Sequence, residues 1–492
     1  KGRCLAYAGP SFGPVADVVR ADARILDDDP PEAAQDKLRA RLSALDVGDD
    51  EPAIADALQA VLGIAEPRER PREELFEAWE RYLRAIARLE PLVLVVEDIH
   101  WADDGVLSFL DFVARWGEGP MVILCLARHE LLRIRPGWGG GLSNAATIDL
   151  EPLDPEASLA LMGGLLEGGV PHRLRDRIIG LSEGNPLFAE EMVRMLIDRG
   201  ALRFVDGQWQ LTRPVHEVEI PGSVQAVLAA RLDTLPEHEK RVAQDAAVVG
   251  RIFWDRLVAH ISNESLPPTS ERIRGLRVKD LVVPREPSTL AGAAEYSFRH
   301  VLIRDVAYDS LPKKDRAVLH REIAEWAEGE LADRVEEFGE LIASHLAAAV
   351  AYEEEFDVGD GRGLQEVRRL AYTAELRASR RAWSMSQADE AVRWLRQAIE
   401  LAWKLELPVR EIVPLALEYR EMSFTIGDPE QQLAVATPVL EALLALPDRL
   451  DDDEPVIARL RGMIGAARCH QNDVEGSRAM IRLAIGERDG ER

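Results

Sequence analysis

The chain has 492 residues, of which 47% are hydrophobic and 30% are charged, and its formal net charge is -27. This length predicts about three or four domains, and the hydrophobic content is enough to build well-packed cores. The acidic balance argues against binding of the chain as a whole to nucleic acid or to an anionic membrane surface.

Cysteine usage and hydropathy indicate the compartment. Cys4, Cys125 and Cys469 are far apart, which fits neither a disulfide framework nor the spacing of metal ligands. No apolar run reaches the roughly 18 residues that a membrane span needs. No signal peptide is recognisable either. We therefore expect a cytoplasmic protein without a membrane segment.

The first 150 residues have the pattern of an α/β domain. Two apolar runs, at 92–96 and 121–127, have the length and composition of strands that are buried on both faces. A predicted helix at 105–116 lies between them, so that the three elements form a βαβ unit. The elements predicted before this unit are a strand at 1–7 and helices that begin near 11 and span 73–89.

Two adjacent carboxylates, Glu97 and Asp98, follow the first apolar run. Ligands of open α/β sheets bind at the carboxyl ends of the strands. Carboxylate oxygens there suit Mg²⁺, which is usually held by a carboxylate or two together with substrate phosphates. A second carboxylate could position or deprotonate an attacking water. The alternative is a buried strand that meets solvent through ordinary acidic residues.

The longer string Leu92-Val-Leu-Val-Val-Glu97-Asp98-Ile-His-Trp-Ala-Asp103 resembles the Walker B segment of STAND-type ATPases, the signalling branch of the AAA+ and NB-ARC P-loop NTPases. The resemblance implies a P-loop NTPase core with a parallel sheet that binds ATP or ADP with Mg²⁺. By position, Glu97 would serve the metal and Asp98 the water. The family usually carries Asp where Glu97 stands, so both acids remain candidates for the metal and for catalysis.

Arg128 directly follows the second apolar run. In the resembled family, a polar or basic residue at this sensor position faces the terminal phosphate of the nucleotide. The resemblance therefore implies that Arg128 binds nucleotide. The alternative is a surface arginine that caps a strand.

Residues 151–215 resemble the small helical lid that follows the NTPase core in this family. Their landmark is Leu181-Ser-Glu-Gly184-Asn185-Pro186-Leu, which matches a Gly-x-Pro-Leu motif. The resemblance implies that Pro186 packs against the nucleotide base, with Gly184 beside it. A structural interpretation accounts for the same residues, because Gly and Asn can end one helix and Pro can begin the next. Both interpretations can hold together.

Residues 216–312 are predicted to form a winged helix. His300 resembles the histidine of the Met-His-Asp-type motif in NB-ARC proteins, which implies contact with the ADP phosphate. Val301 replaces the Asp of that motif, and a packed or surface histidine is an equal alternative.

Basic residues at 269–279 could contact DNA, but acidic flanks disfavour this. Helices are predicted near 223–234, 237–249, 254–261 and 269–279, and wing strands near 281–284 and 294–299.

Residues 313–492 are predicted to be an all-α domain. Small residues recur at matching spacings, with Ser379, Ala391 and Ala398 in one set and Gly465, Ser477 and Ala484 in another, while Ala434 lies midway. Small residues at fixed points allow paired helices to approach and stack, as in an α-solenoid. The array resembles tetratricopeptide repeats, which implies protein partners. A generic helical bundle is the alternative.

The phosphate-binding string G-x-x-x-x-G-K-[ST] is absent from these residues. In the resembled family this Walker A loop precedes the position at which the sequence begins, so we expect N-terminal truncation. The segment alone should then bind nucleotide poorly and lack ATPase activity.

The resulting functional hypothesis is a nucleotide-switched signalling ATPase that controls a nucleotide cyclase or a LuxR-type transcriptional effector. The resemblance also implies self-assembly into a ring. The same motifs are compatible with hydrolysis of ATP and with binding of ATP alone. Two alternatives remain open. One is a protein-interaction scaffold that has lost nucleotide binding, and the other is a DNA-binding transcription regulator.

Overall fold

The computed structural model describes fourteen stretches of the chain, and every structural statement below concerns these residues. They fall into two compact units, Lys1–Ala145 with His320–Arg492, and Ala146–Leu319. No helix among them is both long and apolar enough to cross a membrane. The described residues are 1–4, 12–26, 29–65, 71–166, 172–205, 208–212, 220–285, 288–290, 292–332, 335–356, 362–423, 428–447, 450 and 453–485.

The α/β part of the first unit contains a three-stranded parallel sheet in the order β1-β2-β3. Its middle strand β2 follows a long amphipathic helix, and the segment β2-α5-β3 is the predicted βαβ unit. The predicted strand at 1–7 is present at its start, and residues 5–11 lie outside the described chain. The elements are β1 (Gly2–Arg3), α1 (Gly13–Ala23), α2 (Pro31–Leu45), α3 (Glu51–Leu62), α4 (Arg72–Leu89), β2 (Leu92–Glu97), α5 (Asp104–Trp116), β3 (Met121–Cys125) and α6 (Glu130–Ile134).

The prediction that both apolar runs are buried on two faces is wrong for the described chain. Leu94 and Val96 are 3% and 2% exposed, whereas Val93 and Val122 are both 60% exposed. Side chains alternate between the two faces of a strand. The face that carries Leu94 and Val96 shares one apolar cluster with helices α1, α3, α4 and α5. In the described part of the molecule, the apolar side chains on the other face, among them Val93 and Val122, are exposed to solvent.

An aromatic cluster fills the space between the sheet and these helices. The ring centroid of Trp79 lies 4.7 Å from that of Phe12 and 5.3 Å from that of Phe109. The indole N–H of Trp79 donates to the carbonyl oxygen of Ala57 at 3.2 Å, so that its one polar atom is satisfied. Buried aromatic groups of this size dominate core energetics. They hold α4 and α5 against the strand that carries the acid pair.

The rest of the first unit is a helical repeat in which consecutive helices pack against one another. Helix α15 (Lys313–Glu330) spans the division between the two units. The remaining helices are α16 (Val335–Phe356), α17 (Arg362–Ser384), α18 (Ala388–Lys404), α19 (Val409–Ser423), α20 (Pro429–Leu444), α21 (Asp453–His470) and α22 (Val474–Ala484).

Small residues do allow close helix approach in this array. The hydroxyl of buried Ser379 donates to the carbonyl oxygen of Ala391 at 2.8 Å. A Cβ on Gly465 would lie 3.3 Å from the carbonyl oxygen of Ser477. The pairs Ser379–Ala391 and Gly465–Ser477 therefore both lie at close contacts between consecutive helices. Ala434 does not belong to them, because it is exposed.

The second unit begins with three helices and an antiparallel hairpin, so the segment predicted as a helical lid also contains strands. A second set of helices follows, together with a three-stranded antiparallel sheet in the order β6-β8-β7. The elements are α7 (Pro155–Leu165), α8 (His172–Ser182), α9 (Pro186–Asp198), β4 (Leu202–Val205), β5 (Gln208–Leu211), α10 (Val224–Asp233), α11 (Glu237–Val249), β6 (Ile252–Trp254), α12 (Asp255–Ile261), α13 (Leu266–Val278), β7 (Val282–Arg285), β8 (Glu295–Phe298) and α14 (Val301–Asp309).

A buried charge network joins the two halves of this second unit. Arg231 on α10 is 2% exposed, and its guanidinium contacts the carboxylate of Glu191 on α9, which is 1% exposed. The same guanidinium donates to Asp198 at 2.9 Å and to the carbonyl oxygen of Lys279 at 2.7 Å. Removal of one member would leave an uncompensated buried charge. The network therefore couples α9 to α10 and to the end of α13.

Candidate functional site

The acid pair lies where the parallel strands end. Glu97 is the last residue of β2, and Asp98 follows in the left-handed region with φ +59°. The backbone amide of Cys4 donates to the carbonyl oxygen of Glu97 at 2.9 Å, and that of Ile99 donates to the carbonyl oxygen of Leu126 at 3.0 Å. The segments that follow all three strands are thus hydrogen-bonded together. This edge is the position at which open α/β sheets bind ligands.

The carboxylate of Glu97 is engaged by two cations. Arg3, the register partner of Glu97 on β1, donates from Nε to Oε2 at 2.7 Å. Lys1 Nζ lies 2.8 Å from Oε1. Partial burial acts to raise the pKa of Glu97, but the hydrogen bonds from Lys1 and Arg3 outweigh it and bring the pKa below its ordinary value. The Glu97 carboxylate is therefore ionised, and the positive charges of Arg3 and Lys1 balance its negative charge.

This pairing bears on the Mg²⁺ that the sequence predicts. A cation at Glu97 would have to compete with Arg3 and Lys1 for the same two oxygens, so Glu97 as placed does not fit a metal. Asp98 is partly exposed at the strand end and offers the hard oxygen donors that Mg²⁺ prefers. The described residues contain no group of three or more His, Cys, Asp and Glu side chains arranged to hold a metal. A site here would rest on Asp98 together with oxygens of a phosphate ligand.

Asp103, the last residue of the string, has a structural task. Its Oδ1 accepts a hydrogen bond from the backbone amide of Val106 at 2.7 Å and so caps α5. Burial raises the pKa of Asp103 above its ordinary value, against the Val106 amide and the nearby Gln387 side chain, which lower it. Gln387 belongs to the helical repeat. The start of α5 is thus in contact with a distant part of the same unit.

Arg128 lies at the same edge of the sheet as the acid pair, three residues beyond the end of β3. Its backbone amide donates to Nδ1 of His100 at 3.4 Å, and its guanidinium lies 5.6 Å from the ring centroid of Trp101. The His-Trp dipeptide of the string therefore holds the segment that carries Arg128. Sequence reasoning did not assign this task to His100 and Trp101. It also missed Arg3, because the 94 residues between Arg3 and Glu97 leave no local signal.

Gly184 and Pro186 lie in the second unit, at the junction of α8 and α9. Gly184 has φ +76°, and a Cβ there would lie 2.3 Å from the carbonyl oxygen of Leu153. Asn185 caps α9 by accepting from the backbone amide of Phe188 at 3.1 Å, and Pro186 is the first helical residue. The structure thus contains the end of one helix and the start of the next that the structural interpretation of this string predicted. Binding of a nucleotide base by Pro186 stays a prediction.

His300 also lies in the second unit, where it precedes α14. Its Nδ1 accepts from the backbone amide of Leu302 at 3.3 Å. The nearby Arg304 is buried, donates from Nε to the carbonyl oxygen of Ala247 at 2.8 Å, and has its guanidinium 4.4 Å from the ring centroid of Tyr308. His300 is therefore a helix cap. Its contact with an ADP phosphate stays a prediction.

Carboxylates pair with part of the positive charge in the basic stretch 269–279, which was considered as a DNA-binding helix. Arg272 on α13 contacts the carboxylate of Glu264, and Lys279 Nζ lies 2.7 Å from Oε2 of Glu239. Two of its four basic residues are thus already paired with carboxylates. Phosphate contacts by lysine and arginine supply most nonspecific DNA affinity, so this pairing weakens the case for DNA binding.

No family model matches the chain. An uncharacterized protein of Rhizobium meliloti is 27% identical over 329 residues, which cover 59% of this chain and 29% of that protein. The chain therefore spans less than a third of the length of that relative. The crystal structure of the Signal Transduction ATPase with Numerous Domains (STAND) protein with a tetratricopeptide repeat sensor from Pyrococcus horikoshii covers 99% of this chain and 81% of its own, with a TM-score of 0.39 and 13% sequence identity.

Proposed function

We propose that this chain is part of a STAND-type signal-transduction ATPase in which nucleotide bound at the end of β2 switches the protein between two states. One observation carries the proposal. The string that resembles a Walker B segment lies on the middle strand of a parallel sheet, and its acid pair lies at the carboxyl edge. Arg128 reaches the same edge from the neighbouring strand.

Each residue has a proposed task. Asp98 would position the attacking water and, together with Glu97, would provide carboxylate oxygens for Mg²⁺, whereas Glu97 as placed is paired with Arg3 and Lys1. Arg128 contacts the terminal phosphate. When bound, Mg²⁺ neutralises charge on the phosphate oxygens. Pro186 with Gly184 is proposed to contact the nucleotide base, and His300 the phosphate of ADP.

The helical repeat is proposed to bind a protein partner or to mediate self-assembly. The surrounding protein would be a cytoplasmic regulator whose effector is a nucleotide cyclase or a transcription factor. A second candidate, a scaffold that no longer binds nucleotide, is supported by the pairing of Glu97 with Arg3 and Lys1. That pairing satisfies the Glu97 carboxylate without a metal.

The test uses the full-length natural protein and the variant Asp98→Asn. We expect the variant to lose ATP hydrolysis and to keep ADP binding, because the amide cannot take a proton from water but has nearly the same shape. Glu77→Gln, at an exposed position on α4, is the matched charge control and should keep wild-type turnover. Unchanged hydrolysis by the Asp98 variant would remove Asp98 from the catalytic task.

A further inference from the structure

The helix pairs α17–α18 and α21–α22 share one local structure. In each pair, one residue of the connecting turn lies in the left-handed region, Ser386 with φ +57° and Asn472 with φ +62°. The residue after it donates its backbone amide to the carbonyl oxygen five positions earlier, at 2.8 Å in the first pair and 2.9 Å in the second. The second helix begins one residue later, at Ala388 and at Val474. The two pairs therefore correspond residue by residue.

This correspondence identifies a face of α22 whose equivalent on α18 is covered. Ile481 and Ile485 of α22 are equivalent to Leu395 and Ile399 of α18. Leu395 and Ile399 are 0% and 2% exposed, and they share one apolar cluster with residues of the next helix, α19. Ile481 and Ile485, by contrast, are 44% and 68% exposed. A repeat face that stays in water is normally polar, so exposed isoleucines here indicate a surface that binds another helix.

Two differences between the equivalent faces describe the helix that would fit. Arg478 lies on the same side of α22 as Ile481 and Ile485, at the position where α18 has the buried Val392. Gly462 on α21 replaces Leu376, which packs against the apolar cluster, and a Cβ on Gly462 would have nothing within 4 Å. A helix with the residues of α19 would leave a gap there and would bury Arg478 without a carboxylate. A suitable helix carries a bulky apolar stripe and an acidic side chain beside it.

We propose that the α22 face, formed by Arg478, Ile481 and Ile485, binds an amphipathic helix of a partner protein with acidic residues beside its apolar stripe. Recognition of this kind lays the apolar side of one helix against an apolar surface of another protein. A second copy of the chain is a poorer occupant, because a two-fold contact pairs this face with itself and the face supplies no carboxylate. The inference rests on the part of the proposed function that gives the helical repeat a protein partner, and not on nucleotide binding.

The experiment measures binding of two fluorescent helical peptides to the full-length natural protein by fluorescence anisotropy. Both peptides carry the same stripe of leucine and isoleucine, and the residues beside the stripe are glutamate in one and lysine in the other. The net charge of -27 would favour the lysine peptide if binding were nonspecific. We expect the glutamate peptide to bind more tightly, because Arg478 lies within the α22 face.

Ile485→Glu should weaken binding of the glutamate peptide by about tenfold or more, because it places a carboxylate where apolar side chains are to meet. Leu483→Glu is the matched control on the same helix. Leu483 is 42% exposed, and its equivalent on α18 is the polar Gln397, so this variant should bind as the wild type does. Arg478→Glu should reverse the preference between the two peptides. All three positions are exposed, and circular dichroism checks that the variants are folded.

Four results would overturn the inference. They are no binding of either peptide, as expected if the protein's own chain covers the face, a preference for the lysine peptide, equal weakening by Ile485→Glu and Leu483→Glu, and self-association that Ile485→Glu abolishes. The last result, seen by light scattering, would assign the face to a second copy. Nucleotide is absent from these measurements, so failure of the α22 face and failure of the nucleotide switch are distinguishable.

Discussion

Met385 provides a test of how the helical repeat and the α/β part are joined. It lies between α17 and α18, yet it is 0% exposed and belongs to the apolar cluster that contains Phe12, Trp79 and Phe109. Full burial of a methionine side chain contributes about 1.5–3 kcal/mol through removal from water. A residual cavity adds to this, so that truncation of buried methionine to alanine costs about 2–5 kcal/mol. We expect Met385→Ala to cost about 3 kcal/mol.

The cost should appear in the α/β part, although the substitution lies in the helical repeat. Native-state hydrogen exchange resolves this, because it reports local opening free energies in a chain too large for two-state unfolding. We expect faster exchange in α5, which starts beside Gln387 at Asp103, and little change in α21. Met463→Ala is the matched control, since Met463 on α21 is 1% exposed within the core of the repeat. It should accelerate α21 and spare α5. Unchanged exchange in α5 of the Met385 variant would refute the reasoning.

Two further substitutions have definite expected outcomes. Gly184→Ala should lower the melting temperature of the second unit, because its Cβ would lie 2.3 Å from the Leu153 backbone at a residue in the left-handed conformation. Gly180→Ala is the control: its Cβ would have nothing within 4 Å, so it should be neutral or slightly stabilising. Equal melting temperatures of the two variants would contradict this. Burial raises the pKa of Glu375 from 4.5 to about 8, so the folded state retains a proton that the unfolded state loses, and unfolding free energy falls between pH 4.5 and pH 8. Glu375→Gln should therefore match wild type at pH 5 and exceed it by up to a few kcal/mol at pH 9, in the opening free energy that native-state hydrogen exchange gives for α17, the helix that carries Glu375. A difference that does not grow with pH would show that Glu375 is charged in the folded protein.

Periodicity located most of the elements that position the candidate site. The amphipathic pattern predicted α4 nearly to the residue, and the two apolar runs are indeed neighbouring parallel strands. The three-residue strand β6 was not predicted, because a run that short has no period and directly precedes a helix. The one-sided burial of β2 was not predictable either. An apolar run does not reveal which of its faces other elements cover.

Pairings between distant segments account for what sequence reasoning missed at the site. Arg3 and Glu97 are 94 positions apart, and Gln387 approaches Asp103 from the helical repeat. Neither pairing leaves a local motif. The sequence motif identified His300 as a residue of interest. Its observed role is to cap a helix, and the spacing of the motif does not distinguish this role from ligand binding.

Calorimetric titration of Mg-ADP into the full-length natural protein tests the proposed nucleotide switch most directly. We expect a saturable heat of binding at a single site, weakened when the charge of Arg128 is removed by Arg128→Gln. A folded protein that gives no heat of binding with either ADP or ATP would contradict the switch. It would leave a protein-interaction scaffold in which Arg3 and Lys1 hold Glu97 as a purely structural carboxylate.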